Sequence, residues 1–188
     1  MTDTAGHYGP SALATPANAL TAARLLATPL FILLIADKGA SWWTVAVGVL
    51  VAGSDGVDGW LARRQGTTRS GAFLDPLADK VVVLSALFLL SYQHVLPWLP
   101  VILIGAREFL MSVYRSWIGR RGVSIPARPS AKAKTLIQDL AIATCLIPPL
   151  AIHHDLQLGA IWLAAFFTIV SGLQYLLDGR RAREAGAT

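Results

Sequence analysis

Charge is scarce in this sequence. Asp, Glu, Lys and Arg make up 14% of its 188 residues, against 54% hydrophobic residues. That is too little charge to solvate an ordinary soluble domain, and it points to lipid as the solvent. Cysteine occurs once, as Cys145, which excludes an internal disulfide and a cysteine metal centre. No basic region precedes the first apolar stretch, and five more stretches follow it. It therefore reads as a permanent helix and not as a secretory signal. Internal repeats and low-complexity linkers are also lacking.

What the sequence does have is apolar runs of membrane-spanning length. A bilayer core of roughly 30 Å needs about 20 apolar residues per helix. Six segments fit, at 19–36, 42–63, 73–91, 96–118, 133–152 and 156–177. The expectation is an all-α polytopic membrane protein, six transmembrane helices around a cytoplasm-facing polar cavity. Residues 1–18 form an N-terminal interfacial segment, 19–178 the six-helix domain and 179–188 a basic tail. Pro148 and Pro149 should bend or end the fifth helix locally.

Positive residues fall on alternate loops. Arg63, Arg64 and Arg69 follow the second span, Arg120, Arg121, Arg128 and Lys132 follow the fourth, and Arg180, Arg181 and Arg183 follow the sixth; the opposite loops hold only Lys38. By the positive-inside rule both termini are cytoplasmic. The net charge of +5 then reflects topology and attraction to anionic membrane lipid, with no nucleic-acid partner required. Trp42, Trp43, Trp98 and Trp117 fall at span ends as interfacial anchors. His153 and His154 read as loop residues. A short Ala- and Arg-rich chain without a targeting segment fits a bacterial plasma membrane.

Against this background, four acids cluster at 55–79. Asp55 and Asp58 are three residues apart and Asp75 and Asp79 four apart, so each pair shares a helix face. The 64–70 break is short enough to make the two helices antiparallel neighbours, which would bring four carboxylates together. Like charges in a bilayer persist only when cations or protons answer them, and hard oxygen ligands favour Mg²⁺, Mn²⁺ or Ca²⁺ over zinc. Asp79 lies about 9 Å along its helix from Phe73, near the interface, within reach of a water-soluble reactant. Gly59 and Ala62 share the face of Asp55 and Asp58, and Gly71 lies one turn before Asp75. These small residues open space for a flat ligand, and Arg63 could grip phosphate through its planar fork. Caps and ion pairs would account for any one of these acids, but poorly for the spaced set.

The series Asp55-x-x-Asp58-Gly59-x-x-Ala62-Arg63 with Gly71-x-x-x-Asp75-x-x-x-Asp79 resembles the signature of the CDP-alcohol phosphotransferase family. The resemblance implies a CDP-linked lipid donor, an alcohol acceptor, CMP as leaving group, two divalent ions (Mg²⁺ or Mn²⁺) and a homodimer. Carried over residue by residue, Asp55, Asp58 and Asp75 would hold metal, and Asp79 would be a ligand or the catalytic base. Asp58, Gly59, Ala62, Arg63 and Gly71 would cradle the CDP-lipid.

Weaker marks resemble the phosphatidylglycerophosphate-forming branch: Asn18, Thr21 and Arg24 on the first helix, Ala106-Arg107-Glu108, and Lys132-Ala133-Lys134 with Gln138. They imply CDP-diacylglycerol as donor and glycerol 3-phosphate as acceptor, with Asn18, Thr21 and Arg24 at the donor. A dianionic acceptor needs further cations, for which Arg107, Arg115, Lys132 and Lys134 are the candidates; topology alone would also place cations there. Glu108 reads as neutralising a neighbouring Arg. Ala131 stands where the branch often has glycine, so phosphatidylglycerol or a phosphorylated inositol stays open as acceptor. A cation transporter is the alternative from another class, but its acids should continue across the membrane.

Overall fold

The computed structural model describes residues 16–65, 71–119 and 129–185, with side chains described over 23–53, 80–114, 117 and 133–178. Outside short turns these residues are helical, and no strand occurs among them. The elements are α1 (Pro16–Lys38), α2 (Trp42–Gln65), α3 (Gly71–Tyr92), α4 (Trp98–Gly119), α5 (Pro129–Leu146), α6 (Pro148–Ala151) and α7 (His154–Ala185). They fall into two compact units, Met1–Ser85 and Ala86–Thr188.

In the first unit α1 packs on α2. The turn between them is dictated locally. Gly39, in the left-handed region at φ 56°, ends α1 with its N–H donating to the Ile35 carbonyl at 3.0 Å. Ser41 then caps α2, its Oγ accepting from the Thr44 N–H at 3.2 Å. The buried stripe of α1, Arg24, Thr28, Phe31 and Ile35, recurs at alternating steps of four and three, the spacing of one helix face. Phe31 meets α2 where Gly48 leaves room: a Cβ there would lie 3.0 Å from Phe31 Cε2.

In the second unit α7 packs against both α4 and α5. α3 ends where Leu90 O accepts from the Val95 and Leu96 N–H groups, and Pro97 sets the entry to α4. α5 stops at Leu146, since Ile147, ahead of a proline, is extended (φ −75°, ψ 116°). Pro148 starts the short α6, so the fifth expected segment is two helices, broken at the expected prolines. α7 continues to Ala185, into the stretch expected as a tail. Residues 1–15 of the segment 1–18 expected at the interface, and 186–188 of the expected tail, lie outside the described residues.

Each long helix with described side chains is apolar on its exposed face. α4 exposes Leu99, Ile102, Phe109, Leu110 and Val113 while burying Val101, Ile104 and Glu108; α7 exposes Trp162, Phe166, Ile169 and Leu173 while burying Thr168 and Ser171. A soluble protein does the reverse with its charged and polar residues. Among the described residues one segment, His154–Asp178, is on its own long and apolar enough to cross a membrane.

Gly48→Leu should force Phe31 aside and lower stability by about 1–3 kcal/mol, the usual cost of overpacking. Gly53→Ala, whose Cβ would meet nothing within 4 Å, should be neutral or mildly stabilising. Thermal unfolding of the two variants in detergent checks the contrast.

Candidate functional site

The aspartates and the residues expected at the CDP-lipid all fall in the first unit. Asn18, Thr21 and Arg24 are on α1, Asp55, Asp58, Gly59, Ala62 and Arg63 on α2, and Gly71, Asp75 and Asp79 on the part of α3 before Ser85. Of these, the side chain of Arg24 is described, and it is buried. Its turn is tightened by Thr28, whose Oγ1 donates to the Arg24 carbonyl at 2.8 Å. The four Asp side chains and those of Asn18, Thr21, Ala62 and Arg63 lie outside the described residues, as do the surroundings of Gly59 and Gly71. Among the described residues no three His, Cys, Asp or Glu side chains gather as a metal site.

The residues expected at the acceptor fall in the second unit, Arg107 and Arg115 on α4 and Lys132 and Lys134 on α5. The side chains of Arg115 and Lys132 lie outside the described residues. Arg107 and Lys134 are brought together on a carboxylate. Glu108, only 3% exposed, accepts at one oxygen, Oε1, from Arg107 Nη1 at 2.8 Å and from Lys134 Nζ. Among the described side chains, two cations thus meet on one anion.

Further bonds tie the cluster to α7. Arg107 Nη2 donates to Ser171 Oγ at 3.0 Å, and Ser171 Oγ donates to the Thr168 carbonyl at 3.0 Å. Gln138 Nε2, one turn along α5 from Lys134, donates to Thr168 Oγ1 at 2.8 Å. The arginine stem lies against Gly172, where a Cβ would come 3.0 Å from Arg107 Nε and 3.3 Å from its Cγ. Arg107 Nε is buried and, among the described residues, has no hydrogen-bond partner. The result is a polar layer linking three apolar-faced helices, with arginine donors left over that suit an anion.

Glu108, Gln138, Thr168 and Ser171 were not sequence candidates for the site. A signal existed: each is a polar residue on the buried stripe of a helix whose other face is apolar, at steps of three or four from the next, as Lys134 is from Gln138 and Thr168 from Ser171.

Residues 14–170 match the sequence profile of the CDP-alcohol phosphatidyltransferases. The chain belongs to that family. Its CDP-alcohol phosphatidyltransferase relatives include a CDP-diacylglycerol--glycerol-3-phosphate 3-phosphatidyltransferase from Sodalis glossinidius, 40% identical over 170 residues that cover 86% of this chain and 92% of that protein. A probable phosphatidylglycerophosphate synthase from Mycobacterium tuberculosis H37Rv is 35% identical over 187 residues, 95% of this chain and 87% of that one. A CDP-diacylglycerol--glycerol-3-phosphate 3-phosphatidyltransferase from Bacillus subtilis is 32% identical over 180 residues, covering 84% and 91%. Membership makes the chain a transferase and matches the family recognised in the aspartate series.

The layer's hydrogen bonds should be coupled. Thr168→Val leaves the Gln138 amide buried without its partner, a loss of about 1–3 kcal/mol. The Gln138→Leu/Thr168→Val double variant removes both polar groups and should be more stable than Thr168→Val alone. Thermal unfolding of the three proteins in detergent measures the difference.

Proposed function

We propose that this chain transfers the phosphatidyl group of CDP-diacylglycerol to glycerol 3-phosphate, giving phosphatidylglycerophosphate and CMP. The observation that carries the acceptor is the buried cluster in which the cations Arg107 and Lys134 are brought together on Glu108. A phosphomonoester is a ligand that such a site suits. The relatives named for the same two substrates support the choice.

The donor set fits divalent metal. Asp55, Asp58, Asp75 and Asp79 are hard oxygen ligands on α2 and α3 of one unit, the chemistry of Mg²⁺ or Mn²⁺ sites. Two bound ions would stabilise the attacking and leaving oxygens of the displacement together. The remaining roles belong to the chain. Asn18, Thr21, Arg24 and Arg63, with the small residues Gly59, Ala62 and Gly71, hold the CDP-lipid. Arg107, Arg115, Lys132 and Lys134 hold the acceptor phosphate. The acceptor hydroxyl oxygen attacks the phosphorus that carries diacylglycerol, the bond from that phosphorus to the bridging oxygen breaks, and CMP leaves with the electron pair. Asp79 takes the hydroxyl proton.

The setting belongs to the same proposal. The six long helices span a bacterial plasma membrane, with both termini and the cavity on the cytoplasmic side, and the protein works as a homodimer. The apolar outward faces support the spans, the side-biased Lys and Arg support the orientation, and the family resemblance supports the dimer.

CMP release from detergent-purified protein given CDP-diacylglycerol and Mg²⁺ should require glycerol 3-phosphate and should not occur with phosphatidylglycerol or inositol phosphate. Release with another acceptor would keep the chemistry and change the substrate; none with any would point to transport. Asp55→Asn and Asp75→Asn should reduce release to background while the helical circular dichroism and elution profile stay unchanged. Chelation should abolish release, and Mg²⁺ or Mn²⁺ should restore it.

A further inference from the structure

Glu108 is the group in the second unit whose burial needs the most explanation. A carboxylate on an apolar-faced helix is costly, and a neutralising partner for Arg107 could have been supplied from a more exposed position. Instead its Oε1 receives the guanidinium of its own helix and the ammonium of α5 at one atom. Ser171 of α7 fixes the other arm of the same guanidinium at 3.0 Å, and the Gly172 backbone closes on its stem. An arginine carries five N–H groups in a rigid fork; Glu108 and Ser171 engage one on each terminal nitrogen, which sets the plane of the fork while leaving further donors on it.

We infer that Glu108 is a positioning residue for the acceptor: with Ser171 it holds Arg107 and Lys134 at a fixed separation and orientation to receive the phosphate of a phosphomonoester. The inference rests on the assignment of Arg107 and Lys134 to the acceptor. Without the shared carboxylate the two cations repel each other and lose the contact that sets their separation, which phosphate binding must then restore. A residue that merely neutralised charge would act in the opposite direction, since removing it would raise the local positive potential and tighten the hold on a dianion.

Glu108→Gln keeps shape and volume, so it separates the two roles. Steady-state CMP release by the purified full-length protein, with glycerol 3-phosphate and CDP-diacylglycerol each varied, should give an acceptor KM raised about tenfold, the size of one weakened charge-assisted contact. The kcat should stay within about twofold and the KM for CDP-diacylglycerol should not move. An acceptor KM that is unchanged or lowered overturns the inference, as does a fall confined to kcat. Arg107→Ala and Lys134→Ala run in parallel: if they raise the acceptor KM and Glu108→Gln does not, only the positioning role fails. If neither raises it, the acceptor assignment fails and the positioning role with it. Should Glu108→Gln not fold, Ser171→Ala, which frees the other arm of Arg107, takes its place, with the same KM split expected and the same results overturning it.

Discussion

Desolvation of a single carboxylate governs the second half of this molecule. Glu108 is nearly sealed from solvent, and an ion so placed stays charged only if the chain supplies its counter-charges and hydrogen bonds. The answer comes from two directions, from Arg107 beside it and Lys134 on α5. Once those two are fixed, Arg107 needs a further acceptor, which is Ser171, and α7 is drawn in. Gln138 and Thr168 extend the same layer by one turn. In the proposed membrane setting, where lipid gives no hydrophobic drive for helices to associate, polar ties and close packing of this kind would hold them together.

The same constraint explains why side chains are distributed as they are. Leucine, isoleucine, phenylalanine and tryptophan face outward on α1, α4 and α7, whereas Thr28, Thr168, Ser171 and Gln138 face inward. Small or polar inward residues let backbones approach, as Gly48 does for Phe31 and Gly172 for Arg107. The inward polar groups are then available to chemistry.

Much of this was legible in the amino-acid sequence because it depends on local rules. Apolar run length located six long helices, and the Pro148–Pro149 pair marks the break after α5. The aspartate spacing pointed to the family that the profile match supports. Less legible was anything that depends on pairing between distant residues. Glu108 next to Arg107 looks like a neighbour's counter-ion, and only the approach of Lys134, 26 residues later, and Ser171, 64 residues after Arg107, gives it a wider part. Ser171 and Thr168 sit in an apolar run, where their spacing of three marks a shared helix face but not the residues they meet. The extent of α7 was underestimated because a basic stretch after an apolar one reads as a tail, although Arg and Ala are good helix formers.

The connection between α5 and α7 has a practical side. Ile147 O accepts from the N–H groups of both Leu150 and Ala151, Leu150 O accepts from His153, and Gln157 reaches back to the Ala151 carbonyl. Proteases bind their substrates as extended strands, and a turn whose backbone groups are already engaged this closely has little slack to offer one. This corner is therefore a poor place to insert an epitope or a cleavage site.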